Sequence, residues 1–419
     1  MFYSILLQKK ENMDTNIAIP SWLNNDFLTQ LLKKNFTSNE INVLSFDTKL
    51  AAASGSNYTC LVIRVLIKFE ENRKPAQKSI ILKTTFSTGK IKDFIDEYGA
   101  IEKESFIYTK ILPPMNDLMG LKITPKYLNT SITEAIALED LNEDGYVMCD
   151  RVEQLNFDHC NAFMEAIGKF HALSYRLHEL QPNLFDDFIK EDVFTQHVKP
   201  EIKEYLYNTF HSFRSVLEEW NGFQHIAEFI KNNLNSLWDK IVEIHSTKKH
   251  LRVLNHGDPW VSNMLFKYDD SGKIIDIKLI DLQTCKMVSP ALDLIIFLLT
   301  SAQEDVLQHR LSELYNTYLN SFNSVLKCVG SDFSFSLKEL HDELEFVRLA
   351  YLCYLPWHVV ISLSEKDIVI DMDQTFEIVK RRDDNGKKQC WQLFNGKHFK
   401  KVAKYTLRKL EEQQFFSSF

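Results

Sequence analysis

The chain has 419 residues, of which 45% are hydrophobic, 25% charged and 12% aromatic, with only 12 Gly and 10 Pro. This composition excludes a disordered or collagen-like polymer, and the length suits two or three packed units. Forty-nine Lys and Arg stand against 57 Asp and Glu, a net charge of −8 that offers no positive field to a phosphate backbone, so nucleic acid is not an expected partner.

In chain order, MFYSILLQKK carries a short apolar run without the basic start or small-residue cleavage site of a signal peptide, and Met13 is an alternative start. Residues 41–50, 58–69 and 79–86 read as three β-strands, the last two joined by the polar turn EENRKPAQ. Residues 91–112 have the apolar spacing of a half-buried helix, stopped by Pro113 and Pro114, and short strands follow at 121–128 and 132–138. After a turn at 142–145 the pattern becomes helical: 157–180, stretches within 189–244, 291–326 and 337–362, interrupted by a strand pair at 261–266 and 274–281 around the turn YDDSGK. The charged stretch 381–390 reads as a solvated loop. The expected organisation is α+β: an extension and lead-in helix (1–40), a small β-rich lobe (41–141), and a large mainly helical lobe (142–419).

No run reaches the ~20 apolar residues of a membrane span, since the longest, 291–299, includes Asp293. The expectation is a cytoplasmic protein without a span. Seven scattered cysteines form no CxxC pair or Cys/His cluster, so neither a disulfide framework nor structural zinc is expected. Glycosylation-type tripeptides at Asn35, Asn57 and Asn129 are read as chance occurrences.

The most informative segment is His256-Gly257-Asp258-Pro259-Trp260-Val261-Ser262-Asn263, which places a carboxylate and an amide five residues apart on a tight loop. Transfer of the γ-phosphoryl group of ATP requires a carboxylate to orient an incoming hydroxyl and take its proton, and an amide oxygen to hold Mg²⁺. Asp258 and Asn263 suit those roles. Asp281, at the end of the apolar run Leu279-Ile280, suits a second Mg²⁺ ligand. Such an Asp alone is most often a turn former; the order of loop, strand pair and second Asp is what specifies a kinase site.

The β-rich region supplies Lys83, after Ile80-Ile81-Leu82, for the α- and β-phosphates, and Glu104 on the following helix to hold that lysine. Taken alone, Lys83 would read as a solvated strand-end residue. Ser54, Gly55, Ser56 and Asn57 form a small-residue turn whose N–H groups suit phosphate oxygens, although it is not GxGxxG and a generic turn explains Gly55 nearly as well. The backbone from Leu138 through Glu139 to Leu141 suits an adenine edge, with Glu139 and Asp140 equally readable as structural. His256 is expected to brace its loop, His171 to pack between helices or support the site, Asp293 to anchor the catalytic loop from a helix start, and Trp260 to be core or pocket wall.

These residues resemble the ecdysteroid kinase-like proteins of insects, a branch of the choline kinase and aminoglycoside phosphotransferase superfamily. The likeness is carried over about residues 40–360 by HGDPWVSNMLF, KLIDLQ, SPALDL, ALEDL, GSNY and the ExxxY of Glu104 and Tyr108. It implies a two-lobed protein-kinase-like fold and ATP- and Mg²⁺-dependent phosphorylation of a hydroxyl on a small molecule, an ecdysteroid or similar apolar alcohol. It assigns Asp258 as base, Asn263 and Asp281 as metal ligands, and Lys83, paired with Glu104, as the phosphate lysine. Leu282 stands where the family often has Phe, a change of packing rather than of a chemical group. A polar amino-alcohol such as choline remains an alternative acceptor, and a nucleotide- or hydrophobic-ligand-binding pseudoenzyme an alternative class. The absence of DFG and APE motifs weighs against a protein kinase. The acceptor pocket is expected within residues 180–250 and 330–360.

Overall fold

The computed structural model describes residues 19–36, 40–51, 60–85, 99–120, 122–185, 194–195, 197–198, 200–365 and 391–419. Ser54, Gly55, Ser56, Asn57, Met13 and the 381–390 loop lie outside them. Two compact units emerge, residues 1–88 with 125–144 and residues 89–124 with 145–419.

The first unit opens with helix α1 (Asn25–Asn35), whose start is capped by the Asn24 side chain accepting from the N–H of Phe27. Strands β1 (Ile41–Leu50), β2 (Leu61–Glu71), β3 (Lys74–Thr84), β4 (Tyr127–Leu128) and β5 (Ala135–Glu139) form an antiparallel sheet in the order β1-β2-β3-β5-β4. The period of two is visible in β2, where Ile63, Val65, Ile67 and Phe69 are buried and pack with Leu28, Leu31 and Leu32 of α1. The β2–β3 connection corrects the long polar turn expected at EENRKPAQ. Asn72 and Arg73 both take positive φ, 50° and 63°, so two residues reverse the chain and pairing resumes at Glu71 opposite Lys74. Asn35, in one of the glycosylation-type tripeptides, exchanges hydrogen bonds with the Asn129 backbone, Nδ2 donating to the carbonyl and Oδ1 accepting from the N–H.

The second unit is mostly helical. Pro113 and Pro114 do not stop the helix expected to end there: α2 (Ala100–Phe106) passes through a π turn (Ile107–Ile111) into α3 (Leu112–Met119), with proline in the first turn. The π turn shifts the hydrogen-bond register, with the Leu112 N–H returning to the Ile107 carbonyl, so the prolines enter in the first turn of α3, where they are best tolerated. Gly120, at φ 68°, ends α3.

Helices α4 (Phe157–Leu180), α5 (Pro200–Glu219) and α6 (Gln224–Ser246) follow. The continuous helix expected over 291–326 is instead α7 (Pro290–Ser301), α8 (Glu304–His309) and α9 (Leu311–Cys328), broken by extended backbone at Ala302 and Gln303. The 337–362 helix likewise divides into α10 (Leu337–Phe346), started by a capping box at Ser336 and Glu339, and α11 (Leu349–Tyr354), which continues through a π turn (Leu355–Val359) to Ser362. Helix α12 (Lys397–Glu412) adds Phe399, Ala403 and Leu407 to a core that includes Phe210, Phe213, Ile241, Ile295 and Tyr354. Among the described residues no single helix is long and apolar enough to cross a membrane.

Asp140 ties the first unit's sheet together. Its carboxylate accepts from Arg64 Nε at 2.6 Å and Nη2 at 3.1 Å, and from Ser79 Oγ at 2.6 Å. Burial favours the neutral acid, but the hydrogen bonds from Arg64 and Ser79 outweigh it and hold the pKa below the usual carboxylate value. A depressed folded-state pKa gives stability that is present above the unfolded value and lost as pH falls through the folded one. Asp140→Asn should therefore lower stability at pH 7 by about 1–3 kcal/mol, with the gap to the parent closing below about pH 4. Urea midpoints across pH 3 to 7 measure this.

Candidate functional site

The site is built around two short antiparallel pairings in the second unit. β6 (Val253–Asn255) pairs with β9 (Lys286–Val288), and β7 (Met264–Tyr268) pairs with β8 (Ile274–Leu279). Residues 261–263, expected as strand, form a 3-10 turn before β7. That turn closes with the Asn263 N–H donating to the Trp260 carbonyl at 2.8 Å, and it brings Asn263 back toward Asp258. Asn263 Nδ2 donates to the Asp258 carbonyl at 2.9 Å and to Asp258 Oδ2 at 3.1 Å. The amide thus spends its N–H groups on Asp258 and leaves its carbonyl oxygen for another partner.

Asp281 is brought to the same end of the β7–β8 pair because the Ile280 N–H donates to the Asn263 carbonyl at 3.0 Å. Its φ of 66° and ψ of 70° lie in the left-handed region, uncommon outside glycine and most tolerable for Asp or Asn. This local strain aims the chain into the turn Leu282–Thr284, whose first N–H donates to Glu104 Oε1 at 3.2 Å. Glu104 is fully buried on α2, and Leu282 is fully buried beneath the loop.

The loop before Asp258 is held from behind. Asp293, in the first turn of α7, accepts from the N–H of His256 at 2.6 Å (Oδ2) and of Gly257 at 2.8 Å (Oδ1). His171 Nε2 lies 3.1 Å from Asp293 Oδ2, and its Nδ1 lies 3.1 Å from the Tyr318 hydroxyl. His256 Nε2 donates to the Ile280 carbonyl at 2.9 Å, which ties the loop to the Asp281 segment. Gly257 has φ 85°, and a Cβ there would sit 2.2 Å from the Thr284 carbonyl oxygen, so only glycine fits. Trp260 is buried as core.

Negative charge is concentrated here. Burial, then the carboxylates of Asp293, Glu104 and Asp281, push the Cys285 thiol well above its ordinary pKa. A cation is the natural complement to such a field. Mg²⁺ takes oxygen ligands and keeps waters and phosphate oxygens in its shell, so an amide oxygen and one carboxylate are a fitting protein share. The described residues hold no cluster of three His, Cys, Asp or Glu that would make an all-protein cage, and Mg²⁺ does not need one.

Of the residues singled out from sequence, Glu104, Asp258, Asn263 and Asp281 are thus linked within the second unit, with His256, His171 and Asp293 behind them. Lys83 belongs to the first unit, on β3 between Val62 of β2 and Ile136 of β5. Glu139 Oε1 accepts from the Lys126 N–H at 2.8 Å, and Leu141 is buried at the start of a 3-10 turn, both in that first unit. Sequence reasoning missed Asn255, whose Oδ1 accepts from the Asp293 N–H while Nδ2 donates to Val253 and Val288 carbonyls. Its signal was an amide directly before the His256 motif in an otherwise apolar strand. It also missed His358, whose Nδ1 lies 3.7 Å from Asp258 Oδ1.

Comparison with known proteins matches residues 54–331 to the ecdysteroid kinase-like family. No curated protein matches. Among solved structures, an ethanolamine kinase of Plasmodium vivax is 15% identical with a TM-score of 0.43, over 82% of this chain and 84% of its own. An aminoglycoside phosphotransferase of Alicyclobacillus acidocaldarius is 12% identical with a TM-score of 0.42, over 97% and 98%. A microcompartment-associated aminopropanol kinase is 12% identical with a TM-score of 0.41, over 93% and 98%.

Asp293→Ala would leave two buried loop N–H groups without their acceptor. Denaturant unfolding should show a loss of about 3 kcal/mol or more, with near-native secondary structure by circular dichroism.

Proposed function

Because the chain belongs to the ecdysteroid kinase-like family, phosphotransferases with a hydroxyl as acceptor, we propose that it moves the γ-phosphoryl group of ATP to a hydroxyl of an ecdysteroid or similar apolar alcohol. The observation that carries this reading is the state of Asp258: one carboxylate oxygen is held by Asn263 and the group is 26% exposed within a loop whose neighbours are buried.

Asp258 is the base. It orients the alcohol and accepts its proton as the alcohol oxygen attacks the γ-phosphorus. The new O–P bond forms while the bond from phosphorus to the bridging β–γ oxygen breaks, and ADP leaves with that electron pair. Asn263 Oδ1 and the Asp281 carboxylate would hold Mg²⁺, which would offset the charge of the phosphate oxygens. Lys83 serves the α- and β-phosphates, Ser54, Gly55, Ser56 and Asn57 offer backbone N–H groups to phosphate oxygens, and the backbone from Glu139 to Leu141 meets the adenine edge. Glu104 steadies the Asp281 segment through the Leu282 N–H.

The support is the agreement between family membership and a loop whose hydrogen bonds hold a carboxylate, an amide oxygen and a second carboxylate at one end of a hairpin. Asp258→Asn preserves the shape of the loop and removes the proton acceptor. MgATP binding by calorimetry should stay within a few-fold of the parent, while transfer falls by about 10²–10⁴-fold. Near-normal turnover in this variant would remove Asp258 from the role of base.

A further inference from the structure

The stretch Leu349–Ser362 contains a single imidazole and no charged side chain. Within it, residues 352–360 are all buried except His358. The catalytic loop has the same character, since residues 253–264 are all buried except Asp258. These two openings in otherwise closed walls face one another: His358 Nδ1 is 3.7 Å from Asp258 Oδ1, with the side chains 30% and 26% exposed.

The placement of His358 is locally enforced. It sits in the π turn Leu355–Val359, a departure from α-helical register of the kind that re-aims a side chain and recurs at functional sites. The Tyr354 ring meets the imidazole edge to face at 5.1 Å, and the Tyr354 hydroxyl lies 3.5 Å from His245 Nε2. Arg151 Nη1 donates to the carbonyls of Ser362 and Ser364, which fixes the far end of the same helix.

A separation of 3.7 Å is too long for a direct hydrogen bond. It is, however, the spacing that a hydroxyl oxygen placed about 2.8 Å from each atom would bridge. We propose that His358 is an acceptor-positioning residue: its Nδ1–H donates to the acceptor oxygen while that hydroxyl donates to Asp258 Oδ1. The remaining lone pair of the oxygen is then free to attack phosphorus.

This inference rests on the phosphotransfer reading.

The test uses the full-length protein with MgATP and ecdysone as the acceptor probe. His358→Ala should lower kcat/KM for ecdysone about 10- to 100-fold, the loss expected for a hydrogen bond to a reacting oxygen. The MgATP dissociation constant and the thermal midpoint should stay near those of the parent. His358→Asn, whose amide N–H can take the place of Nδ1–H, should recover most of the lost rate. Parental kcat/KM in His358→Ala overturns the proposal, as does a rate loss accompanied by equal loss of MgATP binding or of folding. Absence of transfer to ecdysone by the parent, despite MgATP binding, counts against the phosphotransfer reading itself and is distinguished from failure of His358 by its appearance in the unaltered protein.

Discussion

The loop that carries Asp258 depends on one buried carboxylate. Asp293 is fully inaccessible to solvent and receives both N–H groups of His256 and Gly257 together with the His171 ring. A carboxylate out of water is costly unless its oxygens are filled with donors, and here the donors are the backbone of the loop itself. Its place in the first turn of α7 adds the favourable field of a helix N-terminus. The loop therefore has one arrangement that satisfies Asp293, and Asp258 is carried into position as its consequence.

A second buried acid holds the helix that carries Asp293. Glu343 on α10 accepts from the Ser289 hydroxyl with one oxygen and from the Leu251 N–H with the other, and His250 Nδ1 lies 3.1 Å from it. Ser289 is the N-cap of α7, and Leu251 leads into β6, so Glu343 joins the start of the helix to the approach of the strand. His250 is itself stacked on Phe346 with ring centroids 3.5 Å apart. Support of this kind fixes the backbone around Asp258, the preorganisation that the proposed transfer would use.

Sequence reading succeeded where the signal was local. Alternating Ile63, Val65 and Ile67 define β2, and the residues singled out by their spacing, His256, Asp258, Asn263 and Asp281, stand together at one end of the β7–β8 hairpin. The bracing role expected of His256 and the anchoring role of Asp293 are visible in their hydrogen bonds. Reading failed where local rules were overruled by packing. Asn72 and Arg73 turn the chain in two residues because both accept positive φ, which a polar eight-residue stretch does not reveal. Pro113 and Pro114 usually end a helix, but a preceding π turn makes them the first turn of the next segment. His358 and Asn255 were missed because each looks like an isolated polar residue in an apolar run; only three-dimensional proximity to Asp258 and Asp293 gives them meaning.

The central claim is that this loop transfers phosphate to a hydroxyl. Its most direct measurement is the fate of the labelled γ-phosphate of ATP, incubated with Mg²⁺ and the unaltered protein before a panel of ecdysteroids, other apolar alcohols and amino-alcohols, with the products resolved by mass. The account predicts a phosphate ester on a neutral apolar alcohol and a matching yield of ADP. Tight MgATP binding with no phosphate ester on any member of the panel would contradict it and point to a nucleotide-binding protein that has kept the architecture without the reaction.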